Sequence, residues 1–210
     1  AFLGSLAVIC LVYLLSQRRR FFSSLTLILA GIAVSYLIGS INSFVTFYGR
    51  DILQKSIFWT LIGLSSCSWK EVKIIIFPSL IGLFLSSVLW KDLNIYLLGD
   101  EPAKHLGVEV RRLKNFMIFL IALLTSLAVS ISGLIGFVGL MIPHIMRMIL
   151  GENHKFLIPG TILGGSIFLT LADTIARSIL SPIEVPVSFI TALFGSIFFL
   201  ILLRRKLISI

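Results

Sequence analysis

Gly133-Leu-Ile-Gly-Phe-Val-Gly-Leu-Met-Ile-Pro-His-Ile-Met-Arg147 decides the fold of this chain. Three glycines, Gly133, Gly136 and Gly139, recur at every third residue inside an apolar run that ends in Pro143, His144 and Arg147. Helices in lipid gain no hydrophobic drive from one another, so small residues at helical spacing are what let their backbones approach. A proline, a histidine and an arginine are costly in hydrocarbon and belong against protein, a cavity or the interface. The stretch is therefore expected to be a tightly packed, irregular membrane helix, with Gly133, Gly136, Gly139, Pro143 and His144 as packing or pathway residues. His144 is expected to hydrogen-bond backbone released by Pro143, which has no N–H of its own.

The composition around that stretch agrees. Hydrophobic residues make up 58% of the chain and charged residues 13%, with a mean hydropathy of +1.08. Soluble domains carry about a quarter charged residues. The apolar runs are continuous over roughly twenty residues instead of alternating over ten, which excludes a barrel and leaves helices. Seven apolar segments are expected, at 1–16, 25–48, 73–90, 115–132, 134–150, 157–179 and 186–203. Together they form one all-α, polytopic transmembrane domain over residues 1–210. The chain opens in mid-run at Ala1-Phe-Leu-Gly without an initiator methionine, so further N-terminal spans are expected.

A net charge of +9 would point to nucleic acid in a soluble domain. In a membrane protein, Lys and Arg instead collect in cytoplasmic loops. With residues 18–20 placed inside, the inner connectors and ends hold thirteen basic residues: Arg18, Arg19, Arg20, Lys91, Lys104, Arg111, Arg112, Lys114, Arg147, Lys155, Arg204, Arg205 and Lys206. The outer ones hold five: Arg50, Lys55, Lys70, Lys73 and Arg177. The C-terminus and the 91–114 loop are thus expected in the cytoplasm. Between residues 49 and 72, Phe58, Trp59 and Trp69 predict a short helix at the headgroup surface.

Catalysis and resident cofactors find little support. Cys10 and Cys67 lack metal or redox spacing, and no two of His105, His144 and His154 share a helix face. A hydrolytic triad could enlist Ser132, His144 and Asp173, but no Gly-x-Ser-x-Gly elbow accompanies them. A Gly-x-x-x-x-Gly-Lys-Ser/Thr loop is also missing, so ATP, if it powers the protein, is expected on another subunit.

Two polar places carry more information. In the 91–114 loop, Gly99 stops one helix, and Asp100 and Glu101 supply negative charge to the first turn of another, where Pro102 is tolerated. Ala103, Leu106 and Val110 predict an apolar stripe on that short helix, and Gly107 ends it. Such a helix suits docking into a partner's groove. Asp173 and Arg177, four residues apart, are positioned to pair on the outward end of a helix. Glu184 before Pro186 is placed to cap the last span. Ser23 and Ser24 sit at a helix start, where serines usually cap.

The blocks 137–147, Pro159, Gly164-Gly165, Leu171-Ala-Asp-Thr-Ile-Ala-Arg177, Leu98-Gly-Asp-Glu-Pro-Ala-Lys-His-Leu-Gly-Val108 and Glu184-Val-Pro-Val-Ser188 resemble the permease family of ABC importers for iron-siderophore, haem and vitamin B12. The resemblance covers most of the chain in the family's order. It departs at Val185 and Ser188, where leucine and glycine are usual, and at Gly195-Ser-Ile-Phe198, which lacks a usual proline.

The resemblance implies a roughly ten-span permease in the bacterial inner membrane, of which seven spans are present. It would work as a homodimer, with a cytoplasmic ATP-binding subunit, a substrate-binding protein and a metal-chelate substrate. Residues 99–107 would be the element that couples to the ATPase, Arg177 would meet an acidic residue of the binding protein, and Ser23 and Ser24 would lie at the cytoplasmic gate. The rival expectation is a secondary transporter driven by ion gradients, which needs acids poised within the membrane.

Overall fold

The computed structural model describes residues 2–17, 24–49, 63–64, 67–180 and 185–208. Nine helices hold nearly all of them: α1 (Phe2–Gln17), α2 (Ser24–Tyr48), α3 (Trp69–Val88), α4 (Trp90–Tyr96), α5 (Asp100–His105), α6 (Val110–Ser132), α7 (Val138–Leu150), α8 (His154–Ser178) and α9 (Val187–Ile208). Five are long and apolar enough to cross a membrane, in α2, α3, α6, α8 and α9. The chain is an all-helical, polytopic membrane domain. Each of the seven expected apolar segments holds a helix, although the one expected at 134–150 is helical only from Val138. The surface helix expected within 49–72 falls mostly outside the described residues, as do Glu184 and the basic residues Arg18 to Arg20.

The long helices run between two ends. One end gathers α4, α5 and the start of α8, where Asn94 bonds to Asn153 and His154. At the opposite end, the Cys67 thiol donates to the carbonyl of Ile131 at 3.7 Å, and the Val185 N–H donates to the carbonyl of Ala176 at 3.2 Å. Antiparallel neighbours follow from these ties: α3 packs on α6 and α8, α8 on α7 and α9, and α1 on α2 and α6. At the second end Ala172, Ala176, Val187 and Ile190 form a small buried cluster between α8 and α9. Most large apolar side chains remain exposed, along α2 above all, where Val34 is the only buried residue among those described. In water that surface would be untenable. In a bilayer it is the solvent-compatible face.

Glycine sets the closest approaches, though not at the positions expected. A Cβ on Gly82 of α3 would lie 2.7 Å from Leu124 of α6. On α8, a Cβ on Gly160 would collide with Leu150, and one on Gly164 would sit 3.0 Å from the Met146 sulfur. A Cβ on Gly195 of α9 would overlap Phe137. These are the small-residue contacts that membrane helices use.

Candidate functional site

The loop between α3 and α6 folds into a corner. Leu97 and Leu98 turn out of α4, and Gly99 takes a φ of 102°, which glycine adopts without a Cβ penalty. It opens α5, where the Asp100 carboxylate accepts from Lys114 Nζ of α6 at 2.7 Å and Glu101 accepts from Lys104 at 2.6 Å. Gly107, with a φ of 85°, ends the turn, and the Val108 N–H closes back on the carbonyl of Ala103 at 3.0 Å. Ala103, Val108, Val110 and Leu113 then form a buried cluster with Leu89, Ile95, Tyr96 and Met117 packed around it. The ammonium of Lys114 also lies over the Tyr96 ring at 5.3 Å. The charges respond accordingly: the hydrogen bond from Lys114 holds the Asp100 carboxyl below its usual range, and that from Lys104 does the same for Glu101.

This corrects the expected stripe. Ala103 and Val110 point inward and anchor the corner to its own protein, because a six-residue helix can only be held by burying one face against its neighbours. Leu106 is the stripe residue that stays outward, 58% exposed, and Leu97 and Leu98 in the turn before α5 are exposed as well, which the sequence pattern did not single out. Between α4 and the start of α6 a cleft of about 370 Å³ is lined by Leu89, Asp92, Val108, Glu109, Arg112 and Leu113 among others. An ion pair of 3.5 Å joins Arg112 to Glu109 on its rim. The cleft lies between residues distant in sequence, so no local pattern announces it.

At the other end of the domain, Arg177 Nε donates to Asp173 Oδ2 at 2.8 Å, as the four-residue spacing predicts. Ala172 and Ala176, each one residue before a member of the pair, are buried against α9, which leaves the Asp173 side chain 20% and the Arg177 side chain 44% exposed.

The glycine-rich stretch is not one helix. Gly133 ends α6 with a φ of 69°, residues 133–136 are non-helical, and α7 begins only at Val138. Its thirteen residues span about 20 Å at the usual rise, short of a roughly 30 Å hydrocarbon core. Phe137, at φ 66°, is the one described non-glycine residue in the left-handed region, an uncommon place for a bulky side chain. Its ring fills the notch at Gly195 and lies 6.2 Å from Phe199, which places the start of α7 beside the middle of α9, away from either end of the bundle.

Gly133 is therefore a helix stop and Gly136 lies outside any helix. Cβ atoms on Gly136 and Gly139 would meet nothing within 4 Å in this chain. Pro143 sits within α7 without breaking it, and the ring of His144 meets Phe198 of α9 edge-on at 6.0 Å. No described hydrogen bond joins His144 to the backbone, since its ring turns across to α9. Ser23 and the side chain of Ser24 lie outside the described residues.

Discontinuous membrane helices, a short polar corner on one end and an ion pair on the other define a transport-type membrane domain. The chain belongs to the FecCD transport family, whose model matches residues 1–205. It is 39% identical over 210 residues to the hemin transport system permease protein HmuU of Yersinia pestis, covering 98% of this chain and 62% of that protein. It is 36% identical over 206 residues to the cobalamin import system permease protein BtuC of Halobacterium salinarum, covering 98% and 55%. A solved structure described as an inward-facing conformation of a metal-chelate type ABC transporter superposes with a TM-score of 0.89 at 34% identity, over 97% of this chain and 65% of that one. The chain thus spans less than two thirds of the length of each of these three relatives.

Proposed function

We propose that this chain belongs to the permease subunit of a binding-protein-dependent ABC importer, which moves a metal chelate of the siderophore, haem or cobalamin kind across a bacterial inner membrane. The subunit itself performs no catalysis. It pairs with a second copy and with cytoplasmic ATP-binding subunits, and alternates between inward- and outward-open states. Membership of the family and the names of the relatives support the class. The break before α7 supports a pathway. Non-helical backbone at membrane depth is tolerated only against protein or water, and Leu134, Gly136 and Phe137 are exposed in the single chain. Gly136 and Gly139 then face the pathway or the second copy. Ser23 and Ser24 belong to the cytoplasmic gate, and Arg177 reads an acidic residue of the binding protein.

The observation that carries the reading is the corner at α5. It is rigidly seated on α4 and α6, yet presents Leu97, Leu98 and Leu106 outward. A seated helix with an apolar edge is built to receive force from a partner. Leu106→Glu places an unpaired charge in that contact, which costs association because the charge loses water without gaining a partner. Co-purification of the ATPase subunit should fall at least about tenfold, with the permease still extracted as a folded protein. Unchanged co-purification and unchanged uptake would remove α5 from the docking surface. The rival secondary transporter finds less support, because Asp173 is already paired with Arg177 near a helix end.

A further inference from the structure

The coupling corner and α8 are joined by one polar knot. Asn94 of α4 reaches across to the start of α8, sixty residues later. Its Oδ1 accepts from the His154 N–H at 2.8 Å and lies 2.9 Å from His154 Nδ1. Its Nδ2 donates to Asn153 Oδ1 at 2.9 Å, and the same oxygen accepts from the Lys155 N–H at 3.0 Å. The knot therefore occupies two of the backbone N–H groups that a helix start leaves without an intrahelical partner. The Lys155 ammonium, 5.6 Å from the centre of the Trp90 ring, adds a second link between the same two helices.

Asparagine suits this place because it is donor and acceptor at once. Neither form of the imidazole that carries a proton on Nδ1 breaks the knot, since the neutral Nδ1–H tautomer and the imidazolium both donate from that atom. What the knot joins is mechanically informative. On one side α4 carries α5 through a three-residue turn, packed against the same buried cluster. On the other, α8 is a 25-residue helix that locks into α7 at Gly160 and Gly164 and holds Asp173 and Arg177 at its far end.

We propose that Asn94 is a positioning residue: its side chain ties the α4–α5 corner to the start of α8, so that displacement of α5 moves α8 and, through the glycine contacts, α7. The inference rests on α5 being the ATPase-docking element, and it adds the route by which motion leaves that element. Both ends of the route are helices, which transmit displacement along their axes, while the connecting side chains are the part a substitution removes without deleting an element.

The test uses the full transporter in proteoliposomes, with its ATPase subunit and binding protein, and reads substrate moved per ATP hydrolysed. Asn94→Leu keeps the size of the side chain and loses every bond of the knot; transport per ATP should fall about tenfold while the ATPase subunit still co-purifies. Asn94→Asp keeps the acceptor for both His154 groups and should retain most of the parent ratio. A parent-like ratio in Asn94→Leu overturns the proposal, and so does an equal loss in both variants. Should Asn94→Leu fail to assemble, His154→Ala removes the Nδ1 bond alone. A partial fall in its ratio supports the tie, and an unchanged ratio overturns it. Failure of the docking reading is separate, since it shows as intact ATPase association in Leu106→Glu.

Discussion

At the scale of single residues, Arg177 has two partners to choose between, and they can be told apart. Within the chain it is bonded to Asp173, on a surface where such pairs contribute about 0–1 kcal/mol. As a binding-protein contact it would govern encounter and partner choice, and added salt would weaken it. Arg177→Glu is expected to leave assembly of the detergent-purified complex intact and to weaken its affinity for the binding protein at least about tenfold. A structural role predicts lost assembly, restored by pairing Asp173→Arg with Arg177→Asp. This pair was legible from spacing alone, because four residues make one helical turn. The contacts of the glycines were not. Glycine spacing at 133, 136 and 139 pointed to close packing there, whereas Gly160, Gly164, Gly82 and Gly195 make the close approaches. Which glycine meets a neighbour depends on which face a helix turns, and one chain's periodicity does not give the neighbour's position. His144 belongs with them: its ring goes to Phe198 of another helix, and sequence distance hides such a contact.

Among the elements, α5 was legible in outline and misread in its facing. Gly99, the acidic first turn and Gly107 marked the start and stop of the helix through their backbone needs, and both glycines do take positive φ. Ala103 was assigned to the outward stripe because a six-residue helix shows too little periodicity to say which side is buried. What seats the helix is the cluster beneath Ala103 together with the Lys114–Asp100 bond. That bond makes the corner sensitive to acid. The folded Asp100 carboxyl titrates below its ordinary value of 3.8, with the Lys114 hydrogen bond as the main favourable cause, so the unseated state binds the proton more readily. The contribution is fully present above that ordinary value and is lost as pH falls through the lowered one. The Asp100 side chain is half exposed, so solvent screening keeps the effect small. Hydrogen exchange at the Val108 amide, which bonds to Ala103, reports the seating. At pH 7, Asp100→Asn should speed that exchange to the rate the parent reaches only in strong acid, after correction for intrinsic rates. Equal exchange in Asp100→Asn and parent would show that burial of Ala103 alone holds the corner.

For the whole molecule, the two ends of the bundle differ in charge as well as in shape. The end that holds α4 and α5 gathers Lys91, Lys104, Arg111, Arg112, Lys114, Arg147, Lys155 and Arg204, whereas Lys70, Lys73 and Arg177 belong to the opposite end. Eight against three, among the basic residues whose side chains are described, repeats the asymmetry of the complete chain, and basic residues in short loops stay in the cytoplasm. The physical reason is that each long helix reverses direction, so residues scattered through the sequence converge on two surfaces. The break before α7 is compatible with this arrangement: α7 starts partway along the bundle, after Phe137, and ends on the more basic end at Leu150, so that α8 still begins there. The expected orientation has the α5 corner in the cytoplasm. With the two native cysteines replaced by serine, Glu109→Cys and Glu152→Cys should resist an impermeant thiol reagent applied to intact cells, and Lys70→Cys should react. Permeabilised cells should label all three positions, since each is exposed on the protein surface. The reverse pattern in intact cells, with Glu109→Cys labelled and Lys70→Cys protected, would place α5 outside. An ATPase could not then reach it, and the coupling role of the corner would fall together with the route through Asn94.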